Sequence, residues 1–209
     1  MITAQSFRSL VWLGTVLFIG LAFYVWWPST KNLTGYSLFP IFGLVAFTLM
    51  WTHYVAGAAR QYLGLPGNTL KTHFKITSYV VLFCILAHPF LFYLQLYVDG
   101  FGLPYQAVPK VYPQMLQQIA VLTGVIALLC FLAFELYRFF KERSWWKYVE
   151  WANIAAMALV LWHGFTLGGE LRQPWFQIVW AFYAVTFAVS VAYSGYRKRR
   201  NNHGREEQL

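Results

Sequence analysis

Six long apolar stretches, separated by short polar or Gly- and Pro-rich segments, dominate the hydrophobicity pattern of this chain. A helix needs about 20 apolar residues to cross a hydrocarbon core of about 30 Å, and each stretch reaches that length. We expect membrane-spanning helices near residues 8–27, 37–59, 74–98, 114–140, 148–167 and 175–196. The pattern therefore predicts an all-α fold, an integral membrane six-helix bundle.

The composition agrees with that prediction. Of the 209 residues, 59% are hydrophobic and only 11% are charged, and the mean hydropathy is +0.48. This balance lies far outside the range of soluble domains. We expect one transmembrane domain, residues 1–196, followed by a basic, polar tail, residues 197–209. Because no small-residue cleavage site follows the first apolar stretch, we expect it to stay as the first span.

The net charge of +9 reports the topology, because the basic residues are divided unevenly between the two sides of a six-span bundle. One side holds Arg8, Arg60, Lys71, Lys75, Arg138, Lys141, Arg143, Lys147, Arg197, Lys198, Arg199, Arg200 and Arg205. The other side holds Lys31, Lys110 and Arg172. The positive-inside rule predicts that both termini are cytoplasmic in a multi-pass cell membrane protein, with a bacterial inner membrane as the expected location. The lipid bilayer, rather than nucleic acid, is then the expected partner of this charge.

Two histidines lie deep inside predicted spans, His88 in the third and His163 in the fifth. An ionisable side chain at membrane depth costs roughly 2.5 kcal/mol or more unless it has a partner. A lone histidine in a span can satisfy itself by a hydrogen bond to a neighbouring helix. These two, however, lie on spans that run in the same direction, each about fifteen residues past the cytoplasmic end, so they reach a similar depth. The pair predicts that one haem iron is held axially by His88 and His163.

Three further residues are candidates for a site nearer the cytoplasm. His73 precedes His88 by fifteen residues, so the two lie roughly 22 Å apart on the same side of one helix, a geometry suited to two stacked cofactors. The corresponding position on the fifth span, thirteen residues before His163, is Glu150. His53 lies at shallower depth on the second span and is a candidate ligand or haem-propionate contact.

Two stretches carry a family resemblance, namely AARQYLGLPGNTLKTHFKITSYVVLFCILAHP at 58–89 and RSWWKYVEWANIAAMALVLWHGF at 143–165. They resemble the ferric reductase-like transmembrane domain. That six-helix haem module is shared by ferric reductases, NADPH oxidases and the membrane subunit of the bacterial periplasmic methionine sulfoxide reductase system. The resemblance implies b-type haems, with His88 and His163 matching the ligands of the outer haem and His73 matching one ligand of the inner haem.

The chain departs from the family pattern at the inner haem. Glu150 stands where the family has its fourth histidine, and the spacing from His73 to His88 is one residue longer than the family's. Three outcomes follow: one haem only, an inner haem ligated by His73 with His53 or Glu150 opposite, or a site adapted to a quinone or a flavin. We favour the first.

A haem with two protein side chains as axial ligands has no open position for a substrate, so its work is to pass single electrons. The expected function is electron transfer across the bilayer, as an oxidoreductase component without catalytic residues of its own. We expect the donor to be a cytoplasmic flavin reductase or a membrane quinol, because the sequence has no dinucleotide-binding fingerprint. The outer-side acceptor would be a protein or a ferric chelate. Two alternatives stay open: a cytochrome b anchor subunit of a multisubunit dehydrogenase, and a non-redox membrane protein that kept the fold and lost its haems.

Overall fold

The computed structural model of this protein describes residues 2–28, 33–135 and 145–206. Within these ranges the chain is all-α, with seven α-helices and no strand, as the sequence predicts. The helices are α1 (Ala4–Trp26), α2 (Gly35–Tyr62), α3 (Lys71–Val98), α4 (Pro104–Val111), α5 (Met115–Glu135), α6 (Trp146–Leu167) and α7 (Pro174–Glu206). A short 3-10 helix, Gly169–Arg172, connects α6 to α7.

Five of these helices are long and apolar enough to cross a membrane. Their length and composition indicate a multi-pass membrane protein. They are α1, α2, α3, α5 as far as Ala133 and α7 as far as Arg200. The 22-residue helix α6 is long enough but is not among them, because Lys147, Glu150 and Asn153 lower its hydropathy. The sixth span and the cytoplasmic termini therefore stay predictions.

One predicted boundary changes, and another lies beyond the described residues. Helix α7 continues to Glu206, so most of the expected polar tail is helical and no structural break occurs after residue 196. The predicted fourth span included residues 136–140, which lie outside the described residues.

The helices form two antiparallel pairs, α2 with α3 and α5 with α6, while α1 and α7 both pack on α2. Phe7, Ala56 and Leu70 form one buried cluster, which brings the start of α1, the end of α2 and the start of α3 together. We call this the basic end of the bundle, because Arg60, Lys71 and Lys198 lie there. The opposite end carries α4, whose fully buried Ala107 packs on Phe92 and Leu96 of α3, and is called the α4 end.

An aromatic core fixes α7 against α2. The ring centres of Phe47 and Trp180 lie 4.6 Å apart, and those of Trp51 and Tyr183 lie 4.7 Å apart. The indole N–H of Trp51 donates to Thr186 Oγ1 at 2.8 Å. With α7 held on one face of α2 and α3 on another, the α5–α6 pair lies across a cavity from α2 and α3.

Candidate cofactor site

A cavity of about 390 Å³ lies between the two helix pairs, and His88 and His163 both line it. His88 lies 17 residues after the start of α3 and His163 lies 17 residues after the start of α6, two helices that both begin at the basic end. Their ring centres are 6.4 Å apart, and their ring planes make an angle of 76°. The expected similar depth of the two imidazoles is therefore present in the fold.

Each imidazole is held in place by a backbone carbonyl of the neighbouring helix. The Nδ1 atom of His88 lies 2.8 Å from the carbonyl oxygen of Phe39, and the Nδ1 atom of His163 lies 2.8 Å from that of Ala120. Since a carbonyl only accepts, both Nδ1 atoms carry the proton and donate it. Each Nε2 then holds a lone pair, which is the form in which histidine binds a metal.

A glycine lies beneath each ring, one helical turn after the carbonyl. Gly43 follows Phe39 by four residues, and a Cβ atom there would lie 2.8 Å from His88 Nδ1. Gly124 follows Ala120 by four residues, and a Cβ atom there would lie 2.7 Å from His163 Nδ1. The two helix pairs thus present the same carbonyl, glycine and histidine arrangement. The sequence analysis did not identify these glycines, although a glycine inside an apolar helix often indicates close helix packing.

The spacing of the rings fits a metal placed between them. A bond from a metal to an imidazole nitrogen is about 2.0 Å and the ring centre lies about 1.1 Å further, so two imidazoles on opposite sides of one metal have centres about 6.2 Å apart. The observed 6.4 Å is close to that value. The cavity walls between the histidines are largely apolar, with Phe47, Leu128 and Val160 among them, as a porphyrin requires. The two imidazoles and the apolar lining are therefore compatible with a haem, which His88 and His163 would hold.

No group of three or more His, Cys, Asp and Glu side chains in the described part of the chain is placed to hold a metal ion. A site that binds a bare ion usually needs three or four such ligands. A haem brings four nitrogen ligands of its own, so two histidines complete its coordination. Two histidines are therefore compatible with a group that brings ligands of its own.

His73 lies at the basic end and does not line this cavity. Its side chain is 2% exposed, and its Nε2 atom lies 3.0 Å from the hydroxyl of Thr15. The Thr15 hydroxyl donates its own proton to the carbonyl of Val11 at 2.7 Å, so it accepts from His73. The Nδ1 atom of His73 is buried and has no hydrogen-bond partner among the described residues.

His53 lies beside His73, with ring centres 6.1 Å apart. Its Nε2 atom hydrogen-bonds to the hydroxyl of Thr77, and that hydroxyl donates to the carbonyl of His73 at 2.7 Å. His53 and His73 are therefore brought together as the sequence allowed. Both Nε2 atoms are used by threonines, whereas the Nε2 atoms of His88 and His163 make no hydrogen bond to any described residue.

Glu150 is placed differently from the sequence expectation. Its carboxylate pairs with Lys198 at 3.4 Å, where the two side chains are 44% and 73% exposed. An ion pair this exposed contributes about 0–1 kcal/mol and mainly joins α6 to α7 at the basic end. A role for Glu150 as a partner of His73 has no contact to support it.

Glu170 is a cavity residue that the sequence analysis missed. It lies on the 3-10 helix between α6 and α7, its side chain is only 9% exposed, and it lines the cavity together with both histidines. Burial raises the pKa of its carboxyl group, because the charged form loses its hydration. No periodic pattern indicates such a residue, since a 3-10 helix of four residues is too short to show a repeating apolar face.

Replacing Glu170 with glutamine should change how stability depends on pH. Folding raises the pKa of Glu170, so the native protein binds more protons than the unfolded chain, and stability should fall as the pH rises from the ordinary value of 4.5 up to the raised pKa. The Glu170→Gln protein lacks that component and should show a flatter profile of thermal unfolding temperature in detergent between pH 4.5 and 8. Glu150→Gln, at an exposed carboxylate, is the control. Parallel profiles for wild type and Glu170→Gln would contradict the assignment.

Comparison of the chain with protein-family models, with curated proteins and with solved structures finds no match.

Proposed function

We propose that this protein is a membrane electron-transfer protein that holds one b-type haem between His88 and His163. It would pass electrons across the bilayer from a cytoplasmic flavin reductase or a membrane quinol to an outer-side protein or ferric chelate. One observation carries the proposal: two imidazoles on separate helices line one cavity, each with Nδ1 tied to a carbonyl, with ring centres 6.4 Å apart.

The residues around the cavity determine what a bound haem could do. A haem held by His88 and His163 would supply one-electron exchange, and the two histidines would leave it no open position for a substrate. The carbonyls of Phe39 and Ala120 fix the ring orientations and make each Nε2 a stronger ligand. The apolar walls keep water away from the site and set the dielectric environment on which its redox potential depends.

A single haem is proposed because the second pair of histidines is already engaged. His53 and His73 each use Nε2 in a hydrogen bond to a threonine, and neither side chain lines the cavity that His88 and His163 share. The basic end, with Arg60, Lys71 and Lys198, is proposed to face the cytoplasm by the positive-inside rule. The donor would then approach the basic end and the acceptor the α4 end. This assignment accords with the resemblance to the ferric reductase-like family, which stays a proposal.

The test is the haem content of the full-length protein purified in detergent from cells supplied with haem. A pyridine haemochrome assay and a dithionite-reduced minus air-oxidised spectrum should give about one b-type haem per chain. No haem would overturn the proposal and favour a non-redox membrane protein. About two would show that the His53–His73 pair also holds a haem. Further subunits that co-purify in fixed ratio would favour a cytochrome b anchor of a larger dehydrogenase.

A further inference from the structure

A second cavity, of about 500 Å³, opens at the basic end between the end of α2 and the last turns of α7. We call it the basic cleft, and its lining residues are Arg60, Gln61, Gly64, Leu65, Ser194, Arg197 and Lys198. We infer that the basic cleft binds a phosphate ester through Arg60, Arg197 and Lys198. This inference does not depend on the proposed haem.

The charge in the basic cleft is not balanced by the carboxylates whose side chains the structure describes. Three cations line it, and Glu150 pairs with one of them, Lys198. Asp99 and Glu170 are the other carboxylates with described side chains, and they lie at the α4 end. Like charges held together at a partly enclosed surface repel each other and attract an anion.

The donors of the basic cleft suit a phosphate group. One guanidinium N–H of Arg60 donates to the carbonyl of Leu65 at 3.2 Å, which holds the side chain along the turn, and its other N–H groups make no hydrogen bond to the part of the chain that the structure describes. Arg197 is held by a 3.4 Å hydrogen bond to the hydroxyl of Tyr193. Two positioned guanidinium groups match the several oxygens of a phosphate better than they match a single-atom anion such as chloride. Gln61 and Ser194 add neutral donors to the lining.

The position of the basic cleft favours the phosphate of a lipid headgroup. The cleft lies at the end of α2 and at the point on α7 where the apolar sequence gives way to the basic residues 197–200. The exposed rings of Tyr62 and Tyr196 flank it, and tyrosines at span ends lie at the level of the headgroups. An anionic lipid could therefore reach the basic cleft from within the bilayer, while a soluble phosphate ester would enter from the water. Both carry the same recognised group.

The experiment measures thermal unfolding of the full-length protein in zwitterionic detergent during titration with phosphatidylglycerol or, separately, phosphatidylcholine. Phosphatidylglycerol should raise the unfolding temperature more, and Arg60→Gln or Arg197→Gln should weaken its apparent affinity about fivefold for each cation lost. Lys75→Gln removes the same charge from an exposed site outside the basic cleft and should leave the affinity unchanged. The readout is the rise in unfolding temperature that the lipid produces, so a loss of basal stability in Arg60→Gln does not affect it. If Arg60→Gln fails to fold, Arg197→Gln provides the same test.

A second arm of the titration uses inorganic phosphate and a soluble phosphate monoester. If these reproduce the stabilisation and displace phosphatidylglycerol, the ligand is soluble and the phosphate specificity stands. The inference is overturned if Lys75→Gln loses as much affinity as Arg60→Gln, or if neither lipid nor phosphate shifts the wild type.

Discussion

Replacing His88 or His163 with alanine should remove nearly all bound haem. Loss of an outer hydrogen-bond partner alone commonly lowers the metal affinity of a site about 10–100-fold, and loss of an axial ligand should cost at least as much. The measurement is haem per polypeptide by pyridine haemochrome on protein matched for expression and monodispersity. Imidazole added to the purified His163→Ala protein during haem reconstitution should restore binding in part, because it can occupy the space that the His163 ring vacates beside Gly124.

His53→Ala and His73→Ala are the matched controls for that experiment. Both residues lie in spans, yet neither lines the cavity and both Nε2 atoms bond to threonines. These variants should keep most of the haem, even if loss of the hydrogen bonds lowers their unfolding temperature. Equal loss of haem in all four variants would contradict the assignment of a single site to His88 and His163.

Alanine at Gly43 or Gly124 should impair the site without altering either ligand. A Cβ atom there would lie within 3 Å of Nδ1, so the imidazole must tilt and its hydrogen bond to Phe39 or Ala120 must lengthen. Overpacking of this kind costs about 1–3 kcal/mol, and we expect a lower haem content together with a lower unfolding temperature.

Gly57→Ala is the control, because Gly57 lies on α2 as Gly43 does but a Cβ atom there meets nothing within 4 Å. That variant should be neutral or more stable by up to about 1 kcal/mol, since alanine favours a helix more than glycine does. If Gly43→Ala and Gly124→Ala are as benign as Gly57→Ala, the imidazoles are not seated on the glycines and the proposed ligand geometry is wrong.

The meeting of His88 and His163 could be anticipated because a helix converts residue number into depth. Two parallel helices that begin at the same end bring residues of equal offset to the same level, and both histidines lie 17 residues after a helix start. Their hydrogen-bond partners could not be anticipated in the same way. Phe39 precedes His88 by 49 residues, and which carbonyl faces the ring depends on how α2 rotates against α3.

The two glutamates show where sequence reasoning fails. Glu150 attracted attention because it shares a helix with His163 at a suggestive spacing, but spacing does not give exposure, and the carboxylate lies at the surface beside Lys198. Glu170 lies in a turn, where neither period 3.6 nor a motif reports burial, and only the packing of the 3-10 helix against α7 places it in the cavity. The hydropathy of α6 is ambiguous for a related reason, since Lys147, Glu150 and Asn153 in its first half and His163 near its end lower the mean of an otherwise apolar helix.

The cavity between the α2–α3 and α5–α6 pairs has a consequence for how the protein matures. Each pair supplies only one of the two histidines, so a group bound to both would act as a cross-link between segments that are distant in sequence. A ligand that binds only the folded state stabilises it in proportion to the logarithm of its concentration. Cofactor supply would then control the amount of intact protein in the membrane, since chains that lack the bridge would remain open to proteolysis.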